Sequence, residues 1–114
     1  MKTIPFSYNW NNKLDCKAFT TLRLNNSYEV GDEVEIFLKS QTKGIGIIVG
    51  KKVLKLKDIN EFIARIDTGY SAEECQKLIQ TMYKKSVIDW ENRLLYLYLI
   101  VKKKTNCTKL PEKR

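Results

Sequence analysis

Apolar and polar residues alternate with period two in several short stretches of this chain, and in two places the period changes to that of a helix. Ile4, Phe6, Tyr8 and Trp10 alternate with polar neighbours, which predicts a strand over Thr3–Trp10. A turn, "NWNNKLD", follows. "KAFTTLRL" continues as strand, with Phe19, Thr21 and Arg23 on one side and Ala18, Thr20, Leu22 and Leu24 on the other. Gly31-Asp32 marks a turn before "EVEIFLK", Glu33–Lys39. Gly44–Leu56 is a long strand or a bent pair, because its glycines at 44, 46 and 50 predict bends or bulges.

The helical period enters at Leu56. Leu56, Ile59, Phe62, Ile63 and Ile66 fall at helical spacing, with Asp58 as the expected N-cap and Gly69 as the stop. Ser71 and Glu74 have the spacing of a capping box, so a second helix starts there with Cys75, Leu78, Ile79 and Met82 as its apolar stripe. Asn92–Lys103 returns to strand. Leu95, Leu97 and Leu99 oppose Tyr96, Tyr98 and Ile100, and two apolar faces predict a central strand. Short glycine-bent strands with few helices predict an α+β fold, a small β-barrel with two short helices packed on its side. The 114 residues suit one domain, expected over 1–104, with a basic C-terminal tail over 105–114.

Composition narrows the chemistry. There is no histidine, which removes Ser-His-Asp and Cys-His catalysis. Cys16, Cys75 and Cys107 form no CxxC pair, so neither a zinc site nor a disulfide framework is expected, and no cofactor is called for. Reduced thiols and the lack of an apolar leader point to a cytoplasmic protein. The longest apolar run, "LLYLYLIV", is far too short to span a membrane. The formal charge of +8 favours an anionic partner, nucleic acid first. Residues 102–114 hold six basic residues and one acidic, which accounts for five of those charges and leaves +3 on the body.

"LDCKAFTTLRL", then "YEVGDEVEIFL", a glycine-containing strand, a helix, "SAEECQKLIQTMY" and a last apolar strand resemble the ASCH family of the PUA-like superfamily. The likeness covers most of residues 13–101. It implies a small barrel with a cleft beside it, lined by a lysine, a threonine and an arginine of the early strand. It also implies RNA or a modified nucleoside as ligand. Some ASCH proteins are amidohydrolases acting on N4-acetylcytidine, and ribonuclease activity is associated with the family. Carried over by the K-x-x-T spacing, Lys17 and Thr20 are the matching pair. Anchored on Arg23 instead, Thr21 takes the threonine's place. The family's carboxylate falls near Thr68, with Asp67 beside it and Glu74 the next choice.

Three readings follow. In the first, Lys17, Thr20 or Thr21, and Arg23 grip a polar or anionic nucleic-acid group, while Tyr83 and Trp10 stack a base. In the second, Lys17 is a base, Thr20 a nucleophile or orienting hydroxyl, and Asp67 the carboxylate of an amide hydrolase or a ribonuclease. That reading requires a carboxylate within hydrogen-bond reach of Lys17 or Thr20. In the third, the chain is a protein-interaction module whose cleft is filled by its own side chains; for Arg23 itself the alternative to a ligand contact is a salt bridge to Glu33 or Glu35. Lys51, Lys52, Lys55 and Lys57, joined by Lys84 and Lys85, form a basic stripe that either tracks phosphates or guards an edge strand.

Overall fold

The computed structural model describes residues 1–103, which form a five-stranded mixed sheet and two α-helices. The strands are β1 Lys2–Phe6, β2 Ala18–Arg23, β3 Glu33–Leu38, β4 Gln41–Lys55 and β5 Leu94–Lys102. The helices are α1 Glu61–Asp67 and α2 Ala72–Met82, with 3-10 segments at Trp10–Asp15 and Leu56–Asp58. The tail 105–114, including Cys107, lies outside the described residues.

The sheet order is β1-β3-β4-β5-β2. β1 pairs parallel with β3 and every other ladder is antiparallel. β5 lies between β4 and β2, as its two apolar faces predict. The expected barrel is not closed: β1 and β2 are the two edges, and no ladder joins them. Side chains nevertheless bring those edges together. Held flat, the edge strands would lie about 19 Å apart, four strand spacings. Yet the Phe6 and Phe19 rings meet edge to face at 6.0 Å, and the Arg23 guanidinium carbon lies 4.6 Å from the Phe6 ring centre. The sheet is therefore strongly curled around a core of Ile4, Phe6, Leu14, Phe19, Val34, Ile36, Ile48, Tyr98 and Ile100.

The glycines allow this curl. Gly44 has φ +111° and stands where the β3–β4 register shifts, and a second shift lies between Ile48 and Gly50. At Gly46 a Cβ atom would stand 2.6 Å from Ile100 Cγ2 and 3.3 Å from the Val101 carbonyl oxygen. Ile100 is fully buried, so its methyl group has nowhere to go. Gly46→Ala is expected to lower stability by about 1–3 kcal/mol through overpacking. Thermal melting checks it, and an unchanged midpoint would contradict this packing.

A second apolar cluster joins the sheet's other face to the helices. Leu54 and Leu95 pack there with Leu56, Ile59, Ala64, Cys75 and Ile79. Cys75 is buried core, as its place in the stripe predicts. The Ser71–Glu74 capping box forms: Ser71 Oγ accepts from the Glu74 N–H at 3.1 Å, and Glu74 Oε1 accepts from the Ser71 N–H at 3.0 Å. The cap of α1 differs from expectation. Asn60 Oδ1 accepts from the Ile63 N–H, whereas Asp58 caps the short segment before it through the Lys55 N–H. The apolar stripe of α1 is only partly used, since Phe62 is 74% exposed and Ile66 47%. Tyr8 and Trp10 leave the strand pattern because β1 ends at Phe6 and the chain turns into the Trp10–Asp15 segment.

Candidate functional site

The free edge of β2 is covered by the Trp10–Asp15 segment and by α1, and the polar groups of the chain converge there. Asp67, the last residue of α1, is delivered to that edge by the helix end, where Gly69 at φ +86° breaks the helix. Asp67 Oδ1 accepts from the Thr20 hydroxyl at 2.9 Å and from Lys13 Nζ at 3.0 Å. Lys13 Nζ also donates to the Asp67 main-chain carbonyl at 2.9 Å. Lys13 and Asp67 are both buried, with side chains 6% and 7% exposed. Burial pulls the Lys13 ammonium below the usual lysine range, and the Asp67 carboxylate opposes that pull.

The lysine of this cluster is not the expected one. Lys17 is exposed just before β2, and its main-chain carbonyl accepts from the Lys102 N–H. Lys13, four residues earlier, occupies the inner position. It lies in a 3-10 turn beside fully buried Leu14, and no periodic pattern in "NWNNKLD" marks it as buried. Glu74 is committed to its capping box and exposed, so Asp67 is the carboxylate at the β2 edge.

Thr20 and Thr21 point to opposite faces, as strand geometry requires. Thr20 bonds to Asp67. Thr21 is buried, and its hydroxyl oxygen accepts from Arg23 Nε at 3.0 Å. Arg23 is partly buried over the Phe6 ring, and no carboxylate pairs with it among the described residues. Glu33, one expected partner, is held by Lys103 at 2.9 Å, and no ion pair joins Glu35 to Arg23. Burial pulls the guanidinium below the usual arginine range, yet arginine stays charged in proteins.

Arg23 and Thr21 border a recess of about 90 Å³ with Asp67, Trp10 and Tyr83 on its rim and Phe6 and Leu95 among its walls. The two stacking candidates thus stand at one cavity with Arg23. A wider depression of about 580 Å³ shares Phe6, Arg23, Met82 and Tyr83 with the recess and adds Tyr8 and Lys39. Tyr8, Trp10 and Tyr70 run as a chain of rings with centres 5.0 and 5.9 Å apart. An open cavity at Arg23 is what the filled-cleft reading denies.

The basic stripe does not form a single face. Lys51 turns inward, 3.2 Å from Glu29 and about 6 Å from the Tyr96 and Tyr98 rings. Lys57 has left the strand for the 3-10 segment. Only Gln41–Ile47 of β4 pair with β3, so the stretch that carries Lys51, Lys52 and Lys55 pairs with β5 alone, and guarding an open strand edge fits them. Lys52, Lys57, Lys84 and Lys85 remain exposed. Among the described residues, no cluster of cysteine and carboxylate side chains suits a metal ion, and no helix is long and apolar enough to cross a membrane.

Comparison with family models, characterised proteins and solved structures gave no match for this chain. The site's chemistry therefore rests on its own residues.

Proposed function

We propose that this chain binds RNA or a nucleoside in the recess at Arg23, as an ASCH-like relative of the PUA-like barrels whose sheet curls without closing. The observation that carries this reading is Arg23: a partly buried cation with no carboxylate partner among the described residues, at an open cavity with two aromatic side chains. A buried charge left without an internal partner is costly, and a ligand that supplies acceptors offsets that cost. Trp10 and Tyr83 offer faces on which any base can stack. Lys39 at the outer depression, with the exposed lysines elsewhere, would add salt-dependent attraction to a phosphate backbone. A cytoplasmic setting belongs to the same proposal.

Fluorescence anisotropy with a labelled single-stranded RNA tests it. Arg23→Gln is expected to weaken binding at least about tenfold, while Lys57→Gln changes it little. Equal binding by wild type and Arg23→Gln, both folded by their melting curves, would sink the proposal.

A second reading is favoured by one specific observation. The Thr20 hydroxyl, the Asp67 carboxylate and the Lys13 ammonium meet on a single oxygen. In an amidohydrolase of N4-acetylcytidine-type nucleosides, Thr20 would be nucleophile or orienting hydroxyl and Asp67 its proton acceptor. Lys13, an ammonium donating to Asp67, would hold that carboxylate in place, and Asp67 would be the base in place of Lys17. Incubation with N4-acetylcytidine, followed by chromatography, tests this directly. Thr20→Val should then lose about 100-fold or more in rate, and Lys17→Ala should lose little. Intact substrate after long incubation removes this reading, and shortening of an RNA in a parallel tube would turn it toward a ribonuclease.

A further inference from the structure

Arg23 and Asp67 border the same small recess but present opposite hydrogen-bonding characters to it. Asp67 is only 5% exposed. Its Oδ1 and main-chain oxygen are taken by Thr20 and Lys13, and no described residue donates to Oδ2. Among the described residues no fully buried side-chain oxygen or nitrogen lacks a partner, so Oδ2 meets open space. The recess is a cavity that Asp67 borders. On Arg23, Nε is used by Thr21, and neither terminal nitrogen has a partner among the described residues. One cavity therefore holds an acceptor-only carboxylate oxygen and a donor-only guanidinium edge.

Resting on the nucleic-acid reading above, we propose that the recess reads the hydrogen-bonding edge of a base and does not seat a phosphate. Asp67 Oδ2 accepts from a ring N–H or an exocyclic amine. The Arg23 terminal nitrogens donate to the adjacent ring nitrogen or carbonyl oxygen. A base edge carries donors and acceptors side by side, which matches this pair. A phosphate offers only acceptors and negative charge, so it would set its oxygens against the Asp67 carboxylate in a poorly solvated space. The walls agree with a flat ring, since Phe6, Leu22, Leu78 and Leu95 are apolar. A cavity of about 90 Å³ admits a base edge, and the sugar and phosphate are left to the outer depression with Lys39 and Tyr8.

The test is competition against a labelled single-stranded RNA by cytidine, uridine, adenosine and guanosine, by ribose 5-phosphate and by inorganic phosphate. At least one nucleoside is expected to displace the RNA, and ribose 5-phosphate and inorganic phosphate are expected to fail at tenfold higher concentration. Two variants locate the effect. Arg23→Lys keeps the charge but removes the planar fork, so a base-reading site loses about tenfold or more. In Asp67→Asn combined with Lys13→Met, the buried charges stay balanced and Thr20 holds the amide oxygen. The amide NH2 then faces the recess in place of an acceptor, and nucleoside competition should fall by a similar factor. If ribose 5-phosphate competes and nucleosides do not, or if Arg23→Lys binds as wild type, base reading is overturned while nucleic-acid binding stands. If neither RNA nor nucleoside binds, both proposals fall together.

Discussion

Replacing Lys13 with methionine is expected to lower the unfolding free energy by about 3–5 kcal/mol, a loss large for any small domain. The cause is what the change leaves behind. Asp67 is as buried as Lys13, and without the ammonium its charge keeps only the Thr20 hydroxyl. Adding Asp67→Asn should restore most of the loss, because the pair's own net contribution is small against its desolvation. Chemical denaturation of the two single variants and the double variant measures the coupling directly. If Lys13→Met alone costs less than about 1 kcal/mol, the ion pair is not buried as described. A pH effect accompanies it. Burial holds the Lys13 ammonium below its ordinary 10.5, so just below pH 10.5 the unfolded chain binds more protons than the folded one. Stability from this position therefore rises with pH across that window and falls as pH drops through the folded value. Lys13→Met should lack that rise.

Phe6→Ala is expected to cost about 3–5 kcal/mol, with a loss of RNA affinity in whatever fraction remains folded. Phe6 is where the sheet's two edges meet: its ring packs edge to face on Phe19 of β2 and lies beneath Arg23. No backbone ladder joins β1 to β2, so truncation removes a side-chain contact that helps hold the curl. Phe6→Leu separates the two roles. It keeps apolar bulk and most of the stability but removes the ring face under the guanidinium, a loss of about 0.5–2 kcal/mol in the Arg23 contact. Denaturation midpoints of the three proteins, with anisotropy on the folded ones, give the comparison. Wild-type stability in Phe6→Ala would contradict the clasp.

Local signals carried α2 and β5. The Ser71–Glu74 spacing forms its capping box, and the doubly apolar run after Asn92 becomes a strand flanked on both sides. Arg23 was legible as a cation in an apolar strand. Its lack of a partner was not, because the sheet order sets β4 and β5 between β2 and the strand that carries Glu33 and Glu35. Lys13 was hidden for a similar reason. Its burial arises from a turn packing against the β2 edge, and its partner is 54 residues distant. Barrel closure was likewise beyond a local reading. Glycines mark where strands can bend, but whether two edges hydrogen-bond is decided by register across the whole sheet. Phe62 and Ile66 have helical spacing and still face solvent, since a seven-residue helix turned by its caps buries only part of its stripe.

The most direct test of the central claim is a nuclear magnetic resonance titration of isotope-labelled protein with a short single-stranded RNA. The signals to follow are the Arg23 Nε–H and the Trp10 indole N–H, both at the recess. The account predicts that these move first and saturate together, while amides around Lys52 and Lys57 move little. Shifts gathered at Lys52 and Lys57, with Arg23 and Trp10 unmoved, would place the nucleic acid elsewhere and contradict it.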